Sequence, residues 1–274
     1  MHPTRHLPSL DRDGVVWIRR WRAMIGVWLV GLAAIGMALT TEASLALRAA
    51  VALEPPLAHG AWLAEYLVAS GVFGVGTAVL YTRVWARRPG VGLRRLRGED
   101  LRPLGLAVLL PLATVAAGAL ASRLTASLGG FGGGSVDGGA VSLLAFYNVA
   151  GPAPLASVAS WPGWALDTAF VVAIVAVLVG PGIAALTHGV FQTALREVLG
   201  ARAAIAGTAL GFAAYRVLIG LGEGPLELAG TVLLLAGFVA AAGWLYERSG
   251  NLVVPMASYG LLAAAVWLMA SVNT

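Results

Sequence analysis

Seven stretches of this sequence, at about 23–40, 61–82, 103–121, 164–186, 203–221, 226–245 and 252–271, run for 18 residues or more on mostly apolar side chains. A helix of that length crosses the roughly 30 Å hydrocarbon core of a bilayer. In lipid each backbone N–H and C=O must find its partner inside its own segment, so the expected fold is all-α, a polytopic transmembrane helix bundle. A membrane β-barrel would need period-two alternation, which the stretches lack. With 59% hydrophobic and 11% charged residues and a mean hydropathy of +0.83, the chain has too little polar surface to cover a soluble globule. Gly180-Pro181-Gly182 interrupts the fourth stretch; a hairpin there would raise the number of spans to eight and put both termini on one side.

Charge sets the expected orientation. All eighteen basic side chains are arginine, and fifteen fall in the tail 1–22, the loop 83–102, the segment of Arg196 and Arg202, and the turn at Arg248. By the positive-inside rule these segments are cytoplasmic, which puts the N-terminus inside a cell membrane and, with seven spans, the C-terminus outside. Residues 1–22 read as a basic cytoplasmic tail and 23–274 as a single membrane domain without an internal repeat. Arginines that flank spans need no nucleic-acid partner, and none is expected. The tail lacks the small-residue cleavage site of a secretory signal and reads as the approach to a first anchor.

Two segments lie outside the spans. "RVWARRPGVGLRRLRGEDLR" (83–102) sets seven arginines against Glu99 and Asp100, and its spacing suits a short interfacial helix attracted to anionic lipid headgroups. "GGFGGGSVDGG" (129–139) is a connector too rich in glycine to hold one conformation, and no Lys-Ser/Thr follows to make it a phosphate cradle.

Ionisable residues within spans are costly and turn inward to partners, so they mark where chemistry could sit. They are Glu65, Asp167, His188 and Arg216, with Glu223 and Glu227 near the end of the fifth span. The chain has no cysteine; His2 and His6 lie in the tail and His59 in a loop, so no set of converging ligands is evident and neither a metal nor a cofactor is expected. From a turn at Gly200, Ile183 and Arg216 are each about 25 Å along their helices, at similar depth on antiparallel neighbours. Thr208, Phe212 and Arg216 share a face, and Gly207 and Gly211 form a GxxxG pair beside them.

Residues 180–265 resemble the CPBP family of CAAX prenyl endopeptidases and bacteriocin-processing intramembrane proteases. The likeness is carried by "GVFQTALREVLG", "GTALGFAAYR" and "GWLYERSGNLVVPMASYGLLAA", and it runs without gaps from Ile183 to Arg216. Family members carry Glu-Glu-x-x-x-Arg, then Phe-x-x-x-His, then His-x-x-x-Asn or Asp. A glutamate there activates water, while histidines and asparagine bind a metal or stabilise an oxyanion. This chain departs at the motif itself: Ile183 and Ala184 replace the glutamates, His188 the arginine, Arg216 and Tyr259 the two histidines, and Ala263 the final Asn; Phe212 is kept. Neither Ile183 nor Ala184 is a base, and the guanidinium of Arg216 offers no lone pair to a metal.

On that resemblance, His188, Arg216 and Tyr259 would converge in a polar cleft of cationic character. Glu65, Asp167, Glu223 or Glu227 could pair with Arg216, or the Tyr259 ring could meet it through a cation–π contact. Each residue also has a packing role open to it: Arg216 in a helix-locking ion pair, His188 between helices, Tyr259 with its hydroxyl bonded. The expected function is that of a non-catalytic relative binding a membrane peptide, a lipid or a partner helix. The alternatives are an active peptidase with its base relocated, to Glu65 or Asp167 for instance, and a transporter or channel.

Overall fold

A computed structural model describes residues 12–51, 64–65, 67–86, 92–127, 172–173, 175–219 and 225–272. The chain is an all-α bundle. Among the described residues the main helices are α1 (Arg12–Val51), α2 (residues 67–86), α3 (Leu101–Ser127), α4 (residues 175–199), α5 (Ala201–Ile219), α6 (Pro225–Ser249) and α7 (Val253–Val272). Among the described residues five helical segments are long and apolar enough to cross a membrane: Val15–Met37, Leu67–Val84, Gly98–Leu120, Ala176–Leu199 and Leu228–Ser249. The last helix adds a shorter apolar stretch, Val253–Val266. α5 has the expected extent but carries Arg202 and Arg216 and is not among the five. The segment 129–139, Asp167 and Glu223 lie outside the described residues, as does the side chain of Glu227.

The hub is α4. It touches α1, α2, α5, α6 and α7, and 67% of its span is buried, against 39% or less of the other four. Gly180-Pro181-Gly182 does not break it: the helix runs on through all three residues, so the eight-span hairpin is not formed. The glycines serve approach instead of turning. A Cβ on Gly180 would collide with the backbone of Gly260 on α7, and a Cβ on Gly182 would lie 2.5 Å from Ser70 Cβ on α2. Reciprocally, a Cβ on Gly74 of α2 would come within 2.7 Å of Gly182 Cα, and one on Gly260 would collide with the Ala176 carbonyl oxygen. The chain around Pro181 is wound loosely, with i→i+5 turns over Val175–Val179 and again over Ala185–Gln192.

Two tight turns close neighbouring helices at one end of the bundle. Gly200 links α4 to α5 at φ +80°, and Gly250 ends α6 at φ +62°, both in the left-handed region that glycine enters without a Cβ clash. The GxxxG pair of α5 packs as its spacing predicts: a Cβ on Gly207 would lie 3.0 Å from Leu195 Cδ1, and one on Gly211 3.0 Å from Phe191 Cε1. Thr208 and Arg216 are buried on that face, while Leu210 and Leu218 on the other side are exposed.

Residues 92–97 are not helical, in contrast to the expected interfacial helix. This stretch is held open by the turn after α6. Leu252 N–H donates to Gly92 O at 3.0 Å, Arg94 Nη2 donates to Ser249 O at 3.0 Å and Asp100 Oδ1 at 2.9 Å, and Asn251 Nδ2 reaches Asp100 Oδ2 at 3.3 Å. Asn251 also caps α7, its Oδ1 accepting from Val253 N–H at 3.1 Å. A helix over 92–97 would forfeit these bonds.

Because Gly180 meets backbone, which cannot swing aside, Gly180→Val is expected to cost about 3 kcal/mol or more. Gly237→Ala, at a position with nothing within 4 Å, is expected to be neutral or to stabilise by up to about 1 kcal/mol. Thermal unfolding of both variants in detergent checks the contrast; equal midpoints would remove the close-approach role of Gly180.

Candidate functional site

His188 sits in the loosely wound part of α4, and its imidazole is fully buried. Nδ1 lies 2.7 Å from Gln192 Oε1 and Nε2 3.2 Å from the Tyr259 hydroxyl. Gln192 decides how the protons are arranged. Its Nε2 faces two acceptors, Gly243 O at 3.1 Å and Glu247 Oε1 at 3.2 Å, so the amide nitrogen must point that way and Oε1 must face His188. An amide oxygen only accepts, so Nδ1 carries the ring proton and donates it, and Nε2 accepts from the Tyr259 hydroxyl. Every polar atom is satisfied with a neutral imidazole.

The same chain of bonds continues outward. Glu247 Oε2 pairs with Arg196 Nη1. Arg196, Gln192 and His188 stand at successive fourth positions on α4, so the column Arg196–Glu247–Gln192–His188–Tyr259 descends about 12 Å from the Gly200 turn into the bundle. Thr193 Oγ1 donates to His188 O at 3.0 Å and lies 3.4 Å from the Tyr246 hydroxyl, which joins α4 to α6 a second time. Around this column stand the rings of Tyr246, 6.2 Å from His188, and Tyr259, 5.5 Å away and edge-on; Phe238 meets Tyr259 edge-on at 4.9 Å. Gly243 makes the room, since a Cβ there would lie 2.6 Å from Gln192 Oε1.

The structure thus brings His188 and Tyr259 together. Ala184, Tyr259 and Ala263 belong to one continuous buried core, with Ile183 and Phe212 packed against it. Arg216 is fully buried on α5. Extending the register set by Gly207 with Leu195 and Gly211 with Phe191 puts Arg216 level with about Leu186, under one turn from the expected depth of Ile183. Glu65 is buried at the start of the second span. Asp167 and Glu223 fall outside the described residues, and nothing is placed for the Glu227 side chain.

Three members of the column, Arg196, Gln192 and Glu247, are absent from the residues that sequence reasoning selects. Gln192 is not ionisable, and Arg196 and Glu247 read as turn charges. The available signal was the polar i, i+4, i+8 stripe His188, Gln192, Arg196 on an otherwise apolar helix, faced by Gly243 and Glu247 at the same spacing.

Chemically the site is a closed hydrogen-bonded chain. The Nε2 lone pair that a metal would take is occupied by the Tyr259 hydroxyl, and the one carboxylate in the chain, Glu247, is neutralised by Arg196. Among the described residues no three His, Cys, Asp or Glu side chains stand close enough to share a metal ion. No family model, curated protein or solved structure matches the chain.

Gln192→Leu would leave the His188 Nδ1 proton without a partner and remove one bond each from the Gly243 carbonyl, which keeps its helical one, and from Glu247. It is expected to destabilise the protein by about 2–4 kcal/mol. Gly243→Ala, which displaces the same amide, is expected to lower the unfolding midpoint in the same direction, and the double variant is expected to cost clearly less than the sum, because both act on one group. Additive effects in thermal unfolding would dissolve the column as a unit.

Proposed function

We propose that the protein is a multi-pass membrane protein of the cell membrane, a non-catalytic relative of the CPBP intramembrane proteases that acts by binding a membrane peptide or partner helix. The observation that carries the reading is the saturation of His188: both ring nitrogens are spent on Gln192 and Tyr259 in a core where Ala184 and Ala263 are exposed by 0% and 1%. Hydrolysis needs a base beside an activated water. At the substituted motif positions other than His188 stand two alanines, an isoleucine, a tyrosine and an arginine. The lipid-facing sides of α5 and α6, with Leu210, Leu218 and Leu233 exposed, offer apolar surface to a partner within the bilayer.

One observation favours a second reading. Glu247 is joined to His188 through a single amide, a carboxylate within relay distance of an imidazole. Its pairing with Arg196 weighs against its acting as a base.

The orientation proposed for the bundle follows its arginines. The ends of α2, α4 and α6 and the starts of α3, α5 and α7 carry Arg83, Arg94, Arg95, Arg97, Arg102, Arg196, Arg202 and Arg248 at one end, which supports a cytoplasmic placement of that end.

Two measurements test these readings. Purified protein in liposomes, supplied with zinc and a prenylated C-terminal CAAX peptide or a model transmembrane peptide, is expected to leave both uncut; cleavage that disappears in Glu247→Gln would establish the relay reading instead. In the cysteine-free background, a single cysteine at Gly200 is expected to react with a membrane-impermeant thiol reagent only after the cytoplasmic side is opened. Labelling of intact cells would reverse the orientation.

A further inference from the structure

Among the described residues, the end of the bundle that carries the Gly200 and Gly250 turns holds more arginines than acids, the acids being Glu99, Asp100, Glu197 and Glu247. Asp100 is engaged by Arg94 at 2.9 Å, Glu247 by Arg196, and Glu99 is shared by Arg94 and Arg97 at 3.5 and 3.7 Å. Arg95 and Arg102 are exposed and have no acidic partner among the described residues. Around them the chain turns out leucines: Leu93, Leu96 and Leu101 are exposed by 50%, 46% and 65%. Three exposed leucines interleaved with arginines, in a stretch that is not helical over 92–97 and enters α3 at Leu101, suit neither water nor hydrocarbon. They suit the boundary between acyl chains and phosphates, where leucine enters the apolar side and guanidinium meets the headgroup.

The stretch is also rigid before any ligand arrives. Arg94 is tied to Ser249 O and Asp100, Asn251 Nδ2 lies 3.4 Å from Arg94 O, and Gly92 O is held by Leu252 N–H. Binding therefore need not spend free energy on ordering the loop. Beside it, Arg248 stacks on the half-exposed Trp244 ring, 5.1 Å from guanidinium carbon to centroid, an aromatic placement suited to headgroup depth.

We infer that residues 92–102 form a preformed site for an anionic phospholipid, with Arg95 and Arg102 on the headgroup phosphate and Leu93, Leu96 and Leu101 against the acyl boundary. The site stands whether or not the core is CPBP-like.

The test uses the full chain in neutral detergent with short-chain phosphatidylglycerol, phosphatidylcholine or inorganic phosphate, reading bound lipid by native mass spectrometry and stability by unfolding midpoint. Phosphatidylglycerol is expected to bind more tightly than phosphatidylcholine and to raise the midpoint, while inorganic phosphate does not. In Arg95→Gln/Arg102→Gln the apparent affinity for phosphatidylglycerol is expected to fall on the order of tenfold or more, and in each single variant about fivefold. Arg202→Gln, at the neighbouring turn, is expected to leave it within twofold of wild type, by about that margin. The site is overturned if phosphatidylcholine or inorganic phosphate does as well in wild type, if the Arg95 and Arg102 exchanges change nothing, or if Arg202→Gln weakens binding equally. Because Arg95 and Arg102 make no ion pair among the described residues, the variants are expected to fold; should the double variant fail, the single ones give the same reading.

Discussion

The close approach of α4 to its neighbours at Gly180 and Gly182 is the constraint on which the rest of the bundle depends. Helices in lipid gain little from hiding apolar surface from one another, because the acyl chains are as apolar as leucine; van der Waals packing and hydrogen bonds must hold them. Gly180 against Gly260 and Gly182 against Gly74 put three backbones at distances no side chain permits. That proximity brings the His188 ring of α4 within hydrogen-bond reach of the α7 hydroxyl of Tyr259. A residue with a Cβ at Gly180 would push α7 away and open the bond before any polar group was changed.

The polar column supplies what the glycine seam lacks, which is chemical discrimination. Apolar helices slide past one another at small cost, whereas an amide buried between an imidazole, a carbonyl and a carboxylate has one satisfying arrangement. Glu247 is placed where its charge is tolerable: one oxygen faces Gln192 and the other faces Arg196, near the end of the bundle where Arg196 is partly exposed. The column thus grades from an ion pair at the rim to neutral hydrogen bonds at its foot, the order in which desolvation becomes more costly.

Much of the architecture was legible from residue patterns, and the failures have physical causes. The Gly200 turn, the GxxxG contact of α5 and the inward face of Thr208, Phe212 and Arg216 follow from spacing alone, because they depend on local periodicity. Gly180-Pro181-Gly182 was ambiguous: the same residues break a helix in water and permit helix contact in lipid, and only the partner glycines Gly74 and Gly260, far off in sequence, decide between the two. Residues 92–97 have arginine spacing compatible with a helix, but their conformation is settled by Ser249, Asn251 and Leu252 across the fold. Gln192 and Glu247 were hidden for a related reason. A glutamine in a span and a glutamate beside a turn each look ordinary, and their significance arises only when α4 and α6 are laid side by side.

Three determinants of the position of α7 share one register, and together they leave the helix one arrangement. Asn251 fixes the start of the helix against Asp100, Tyr259 fixes its second turn against His188, and Gly260 fixes its backbone against Ala176 and Gly180. A slip by one turn, about 5.4 Å, would break the first two and bring side chains onto the third. The three act through different physics: a charge-assisted bond at the rim, a neutral bond in the core, and steric exclusion. Together they hold α7 in a single register, against Asp100 at its start and against Ala176, Gly180 and His188 of α4 further along.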